Sequence, residues 1–504
     1  MNLYLILFIL FTVATVAGLW GIFTKAGEAG WKILVPFYNL YIWLQIIRKP
    51  LWWYIFLLIP FINVFVILLM IVELLKCFKK YGLGEQALGV IFPFVYLPYL
   101  GFSPAEKFYK PGSVPPFKKT VVREWVDAII FAVIAASIIR IFFFEAYTIP
   151  TSSMEKSLLV GDYLVVSKVS YGPRVPNTPL SFPFVHHTLP LSETAKSYLE
   201  WIRLPYYRFP GFASIKNMDV VVFNYPDGDT LSTKWQSNVS YYYLVRKLGR
   251  NALWNDPQNF GDIIARPVDK RENFIKRCIG IPGDSIRIID RKVFINGQPE
   301  KNPGKRQWKY VVHTDGNPIN TMNLDKLGIT ESPVIYNNGD YELTLSDEAF
   351  EGLKQFSNIK SINPLILPKG QWEPDIFPFD SAYRWNVDNF GPIWVPKAGV
   401  TIKINSSNIM FYKRIIGVFE ENDLKIHDGK IYINGKESGT YTFKMNYYWM
   451  MGDNRHNSQD SRYWGFVPED HVVGKASLVW LSLDPNKSLF DGKIRWSKLM
   501  HIVK

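Results

Sequence analysis

The chain has 504 residues, enough for several domains, and carries 57 Lys and Arg against 44 Asp and Glu, a net charge of +13. Those cations are scattered, with no basic helix and no nucleic-acid module, so nucleic acid is excluded as a partner; a solvated surface or attraction to anionic lipid remains. Only Cys77 and Cys278 are present, in contexts that do not suggest a mutual disulfide. Apolar residues crowd into the first 145 positions, and the remainder reads as globular and strand-rich.

Residues 1–22 are almost free of charge, with no Lys or Arg before Lys25, which reads as a retained span rather than a cleaved secretory leader. Residues 31–47 are apolar but interrupted by Pro36 and Asn39, and are expected in the membrane interface. Further spans are expected at 52–75 (with Pro60, Asn63 and Glu73), at 86–102 (broken by Pro93 and Pro98) and at 126–144. Apolar stretches of roughly 17–25 residues suit a bilayer core. Lys107, Lys110, Lys118, Lys119 and Arg123 precede the last span and read as cytoplasmic, so that span delivers the residues C-terminal to it to the outer face. Lys25, Lys32, Arg48 and Lys49 agree with this orientation, whereas Lys76, Lys79 and Lys80 run against it. Asp127 and Arg140 flank the last span and are expected to snorkel to the interfaces.

From residue 145 onward, short β-rich runs at 163–169, 219–225, 285–289, 293–295 and 430–433 alternate with turn residues. Asn296-Gly297 and Asn434-Gly435 are hairpin signals. Phe274-Ile275-Lys276-Arg277 recurs as Phe411-Tyr412-Lys413-Arg414, and the run KVFING at 292–297 as KIYING at 430–435, which predicts a duplicated strand–hairpin unit. The polar stretch between the copies looks like an insertion. The expected organisation is a multi-span membrane module at 1–110, a cytoplasmic link and last span at 111–145, a β-rich catalytic domain from 146–300 and 401–504, and an inserted subdomain at 301–400.

The chemistry centres on Ile149-Pro150-Thr151-Ser152-Ser153-Met154, directly after the last span. A Ser hydroxyl needs a base, and Lys can serve if burial disfavours its ammonium form. Lys276 lies among Phe274, Ile275, Cys278, Ile279 and Ile281, and in a strand it would share a face with Phe274 and Cys278. A Ser153/Lys276 dyad is therefore expected, with Lys413 and His456 as the alternative bases. The Ser153 N–H and the Thr151 hydroxyl are candidate oxyanion donors. No metal-ligand spacing or phosphate loop is present, so no cofactor and no metal are expected.

Three segments resemble the type I signal peptidase (leader peptidase) family of membrane-bound Ser/Lys proteases. They are the Ser153 segment, Phe274-Ile275-Lys276-Arg277 with the adjoining Gly280-Ile281-Pro282-Gly283-Asp284, and Gly452-Asp453-Asn454-Arg455-His456-Asn457-Ser458-Gln459-Asp460-Ser461-Arg462. The resemblance covers 124–300 and 411–480 and leaves 1–110 outside. It implies an N-terminal α-helical transmembrane region plus a mainly antiparallel β fold of the signal-peptidase and repressor-protease kind, with a large insertion. The family's nucleophile segment is similar to Ser-Gly-Ser-Met; here Thr151 stands for the first Ser, Ser152 for Gly, and Glu155 for the Pro after Met. Ser153, which precedes Met154, is favoured over Ser152 as nucleophile, and Lys276, which precedes the Gly-Ile-Pro-Gly-Asp run, over Lys413 as base. By the same resemblance Ser458 would orient the Lys276 amine, Asp460 and Arg462 would pair, Gly452 and Asp453 would shape a turn beside the substrate groove, and Arg277 would be structural.

The implied activity is removal of signal peptides from exported preproteins, after small residues at the first and third positions before the cut. The site would sit on the outer face of the bacterial cytoplasmic membrane, on a multi-pass chain. Met154, Ile149 and Leu158 are candidate pocket residues; Asp219 to Phe223, with Val221, reads as a core strand and is also a candidate for pairing with the peptide. Phe142 to Phe144 and Trp480 form an aromatic rim suited to lipid. Preproteins, membrane lipid and the protein-export machinery are the expected partners. An inactive scaffold that only binds signal peptides is the alternative; a self-cleaving repressor-like Ser/Lys protease would lack the span and the 452–462 motif.

Overall fold

The computed structural model describes residues 3–59, 62–113, 120–192, 194–301 and 305–503. The chain divides into two units, Met1–Ile138 and Ile139–Lys504. Pro60, Lys118 and Lys119, which entered the reading of the spans, lie outside the described residues.

The first unit is helical. Helix α1 (Leu3–Lys25) is followed by α2 (Tyr38–Ile46), α3 (Trp53–Leu57), α4 (Ile62–Lys76), α5 (Leu83–Ile91) and α6 (Pro93–Phe102). Ile22, Phe23, Leu44, Met70 and Leu97 are fully buried in its core. Small residues let α1 and α6 meet backbone to backbone: a Cβ on Gly18 would fall 2.4 Å from Pro98 N, and one on Gly21 2.9 Å from Gly101 C. The Lys25 ammonium then caps α6 by donating to the carbonyls of Leu100, Ser103 and Glu106 at 2.6–2.9 Å. Two expected spans differ from the sequence-based expectation. The 52–75 run is divided between α3 and α4. The 86–102 run bends by 110° between α5 and α6, where Pro93 removes a helical donor and pushes Phe92 out of the helical region.

Helix α7 (Val121–Ile138) continues through a π-turn (Ile139–Phe143). Val121–Phe143 is the one described helix that is long and apolar enough, by itself, to cross a membrane, and no residue of it is buried. An apolar helix with no buried residue suits lipid. Its flanking charges are paired rather than simply extended: Arg123 Nε donates to Asp127 and Arg140 Nε to Glu145, both at 2.8 Å.

The second unit is mainly antiparallel β. Its main sheet comprises β1 (Phe144–Thr148), β2 (Asp162–Ser167), β3 (Val220–Asn224), β4 (Asn273–Gly280), β5 (Tyr447–Met451), β6 (Val467–Pro468), β7 (Val472–Ser482) and β8 (His501–Ile502). The spatial order is β1-β2-β7-β3-β4-β5-β6, with β8 also on β7, and every pairing is antiparallel. Both predicted hairpins form, with Asn296 and Gly297 at φ 52° and 79° and Asn434 and Gly435 at 52° and 78°, as a tight left-handed turn demands. The duplication ends there: Phe274 to Arg277 lie in β4, whereas their counterparts lie in the helix Ile409–Arg414. Tertiary surroundings override the local sequence, since Phe274 to Arg277 pair along Phe223 to Val220 of β3.

Within the expected insertion, the strands Gln307–Thr314, Val334–Ile335, Tyr341–Ser346 and Ile359–Pro364 form a separate sheet. It has its own core around Val312, Leu324, Leu343, Leu345 and Leu353. The chain is back against the strand Ser285–Ile289 by Phe390–Trp394, before residue 400.

Candidate active site

Strand β1 ends at Thr148, and Ile149 continues its pairing by exchanging hydrogen bonds with Asp162 O and Gly161 N. A single 3₁₀ turn, Ser152–Met154, follows. Met154 and Ile149 drop into an apolar cluster with Leu158, Val220 and Val222, against which Ile275 packs. These buried side chains pin both sides of the turn and leave Ser153 beside the sheet, 8% exposed.

Lys276 approaches from β4. Its Nζ donates to Ser153 Oγ at 2.8 Å and to Ile275 O at 3.0 Å, and sits 5.5 Å from the centre of the Phe274 ring. The side chain is 4% exposed. Burial pushes the Lys276 pKa down to about 8, although the carboxylates of Asp460 and Asp453 pull the other way. The neutral amine is therefore accessible near neutral pH, which an exposed lysine does not offer.

The neighbouring hydroxyls are placed differently. Ser152 Oγ accepts from Asn457 Nδ2 at 3.1 Å, so it is engaged away from the amine. Thr151 is exposed, with extended backbone at φ −130°, and its hydroxyl has no hydrogen bond to any described residue. Ser458 departs from the role the resemblance implied. Its buried hydroxyl has no hydrogen-bond partner among the described residues, while the amine's bonds go to Ser153 Oγ and to Ile275 O, the carbonyl of its own strand. Ser458 packs against Gly452, where a Cβ would fall 2.3 Å from Ser458 Oγ and 2.5 Å from Ser153 O. A side chain at Gly452 would have to displace the Ser153 carbonyl or Ser458.

Two buried ion pairs hold the surrounding loop. Arg462 donates to both oxygens of Asp460 at 2.9 and 2.8 Å, and Gly452 N–H donates to Asp460 Oδ2 at 3.1 Å. Burial alone would raise the Asp460 pKa, but Arg462 draws it below the ordinary carboxylate value. The Asp453 carboxylate is fully buried, accepts two bonds from Arg277 at 2.8 and 2.6 Å, and accepts a third from Ser157 at 2.5 Å.

Asp219 and Val221 also differ from their expected role. Strand β3 is paired on both sides, with β7 and β4, so it has no edge for an added peptide. Asp219 is occupied by Lys475 at 2.6 Å and Tyr171 at 2.9 Å. Two open edges do lie near Ser153. One is the outer side of β1; the other is Asn273 to Lys276 of β4, since β5 joins β4 only from Arg277 onward. Neither of the other candidate bases hydrogen-bonds to Ser153. Lys413 is exposed on the helix Ile409–Arg414, and His456 spans Lys309 N–H and Asp388 Oδ1.

Sequence reasoning missed the loop 328–331 of the inserted subdomain. Thr330 Oγ1 donates to Glu155 at 2.9 Å, Lys156 Nζ donates to Gly328 O, and Glu331 accepts from both Asn454 and Asn457 at 2.6 Å.

The family model described as signal peptidase, peptidase S26, matches residues 122–334 and 437–481, just over half of the chain. The chain belongs to the signal peptidase family, peptidase S26. It is accordingly a serine endopeptidase, a hydrolase that removes signal peptides. Among its relatives is the signal peptidase I of Buchnera aphidicola subsp. Schizaphis graminum, 25% identical over 370 residues covering 72% of this chain and 77% of the relative. The signal peptidase I of Haemophilus influenzae is 22% identical over 381 residues, 76% of each chain. The signal peptidase I of Aquifex aeolicus is 61% identical over a short stretch of 36 residues, 7% of this chain and 14% of the relative. Residues 31–111 match a family of unknown function, DUF5684.

Proposed function

We propose that this signal peptidase cleaves exported preproteins after small-x-small sites with Ser153 as nucleophile and Lys276 as general base. The observation that carries this reading is the 2.8 Å contact between the buried Lys276 Nζ and Ser153 Oγ. Ser153 Oγ attacks the scissile carbonyl carbon while its proton passes to the neutral Lys276 amine. The oxyanion is held by the Ser153 N–H and by the Thr151 hydroxyl, whose exposure leaves it able to turn inward. The resulting ammonium protonates the leaving amine as the C–N bond breaks, and the same amine then takes a proton from the water that hydrolyses the acyl-enzyme. The Asp460–Arg462 and Asp453–Arg277 pairs, with Gly452, keep the loop beside Ser153 in register.

The signal peptide would lie extended between the outer edge of β1 and residues 273–276 of β4, segments with no neighbouring strand on that side among the described residues, which suits strand addition. Ile149, Met154 and Leu158, which pack together as the turn's apolar underside, would form a pocket floor that admits only small side chains. The helix Val121–Phe143 would carry the β unit to the outer face of the bacterial cytoplasmic membrane, with Lys107, Lys110 and Arg123 on the cytoplasmic side. The module at residues 1–110 would add further spans and a docking point for export machinery; exposed Phe144 and Trp480 would meet lipid. The region 307–364 is the inserted subdomain of this scheme.

The test is cleavage, by the full chain in detergent, of two preproteins that differ only at the residue before the cut. Efficient cleavage after Ala and none after Phe supports the reading. Equal rates would sink the pocket assignment.

A further inference from the structure

The inserted subdomain reaches the nucleophile turn through one carboxylate. Glu331 lies after the helix Thr321–Lys326, far in sequence from both catalytic segments. Its Oε1 accepts from Asn454 Nδ2 and from Asn457 Nδ2, each at 2.6 Å. A side-chain amide has two N–H donors, and in both residues the second one points at Ser152: Asn454 Nδ2 to Ser152 O at 3.3 Å, Asn457 Nδ2 to Ser152 Oγ at 3.1 Å. The Asn454 backbone N–H then donates to Ser153 O at 3.1 Å. The peptide joining Ser152 to Ser153 is thus held at its own carbonyl, Ser152 O, at the following carbonyl, Ser153 O, and at the Ser152 hydroxyl. One carboxylate oxygen fixes the plane of both amides that hold it.

We infer that Glu331 is a positioning residue for catalysis: through Asn454 and Asn457 it fixes the Ser152–Ser153 peptide, and with it the aim of the Ser153 hydroxyl and N–H. The inference rests on the Ser153/Lys276 reading. Glu331 touches neither of those side chains, so it acts on geometry rather than on proton affinity. Misplacement of a nucleophile by about 1 Å costs up to roughly a hundredfold in rate. The neighbouring contacts of the same loop, Thr330 with Glu155 and Lys156 with Gly328, anchor it to the far side of the turn. The subdomain is therefore a wall of the active site, and its loss or displacement loosens the nucleophile.

The experiment measures kcat, KM and the pH profile of preprotein cleavage by the full chain in detergent, for wild type, Glu331→Ala, Glu331→Gln, Asn457→Ala, Glu331→Ala with Asn457→Ala, and Ser153→Ala. Glu331→Ala is expected to lower kcat about tenfold with KM within about twofold and the pH midpoint still near 8. Glu331→Gln recovers most of kcat, because one carbonyl oxygen can accept both bonds. The double variant is no slower than the slower single variant, since both act in one chain of contacts. A Glu331→Ala enzyme within twofold of wild type in kcat, a Gln variant as slow as Ala, or a shifted pH midpoint at unchanged plateau overturns the inference. If Glu331→Ala does not fold, Asn457→Ala carries the same kcat expectation and the same refutation. Cleavage surviving in Ser153→Ala means the dyad reading itself has failed; an inactive Ser153→Ala beside a fully active Glu331→Ala means only the positioning role has failed.

Discussion

Lys276→Met replaces a buried ammonium by an apolar chain of similar length, and its effect on stability depends on pH in a calculable way. In the unfolded chain the lysine holds its proton to its ordinary value of 10.5; in the fold it releases it at about 8. Below pH 8 both states are charged, and the fold bears the whole cost of burying the ammonium. Between pH 8 and 10.5 the unfolded state binds the extra proton, so stability rises with pH across that window. The full cost is about 3 kcal/mol at roughly 1.4 kcal/mol per pH unit, and about 2 kcal/mol of it is relieved by pH 9.5. The hydrogen bonds from Nζ to Ser153 and Ile275 are lost in the variant at either pH and offset part of its gain. The pH-dependent difference is free of that offset. Urea unfolding of both proteins in detergent, followed by Trp fluorescence, should show wild type gaining about 2 kcal/mol on the variant between pH 7 and 9.5. A difference that stays constant within about 0.5 kcal/mol would refute the depressed pKa, because every other titrating group cancels in the comparison.

Gly452→Ala should cost more than about tenfold in cleavage rate while the protein still folds, because the new Cβ would meet Ser153 O at 2.5 Å and Ser458 Oγ at 2.3 Å; circular dichroism beside the cleavage assay reads both. Asp453→Ala leaves the Arg277 guanidinium, 1% exposed, without its carboxylate, and should lower unfolding stability by about 3–5 kcal/mol. Lys413→Ala should leave the cleavage rate within about twofold of wild type, since that side chain is exposed on the helix Ile409–Arg414; a large loss would revive it as a base.

The pairing of Ser153 with Lys276 was legible because each sits in a linear motif and because Phe274, Ile275 and Cys278 announce a buried strand around the lysine. The antiparallel β architecture and both Asn-Gly hairpins were legible for the same local reason. What escaped was set by long-range geometry. That Val220 to Asn224 is a core strand was legible; its pairing on both sides, which removes the added peptide-binding role, was not. The partner of the Ser458 hydroxyl depends on the rotamer of Lys276, which no spacing encodes. Asn454 and Asn457 sit inside a recognised motif, yet their acceptor Glu331 lies 123 and 126 residues away in sequence. In the first unit the break at Pro93 was visible in the sequence, whereas the 110° bend made there and the division of 52–75 between α3 and α4 were not.

The most direct measurement is cleavage of a small-x-small preprotein by purified wild type, Ser153→Ala and Lys276→Ala, with folding of each checked by circular dichroism. Complete loss of cleavage in both folded variants is the predicted result. Cleavage persisting in either folded variant would contradict the dyad.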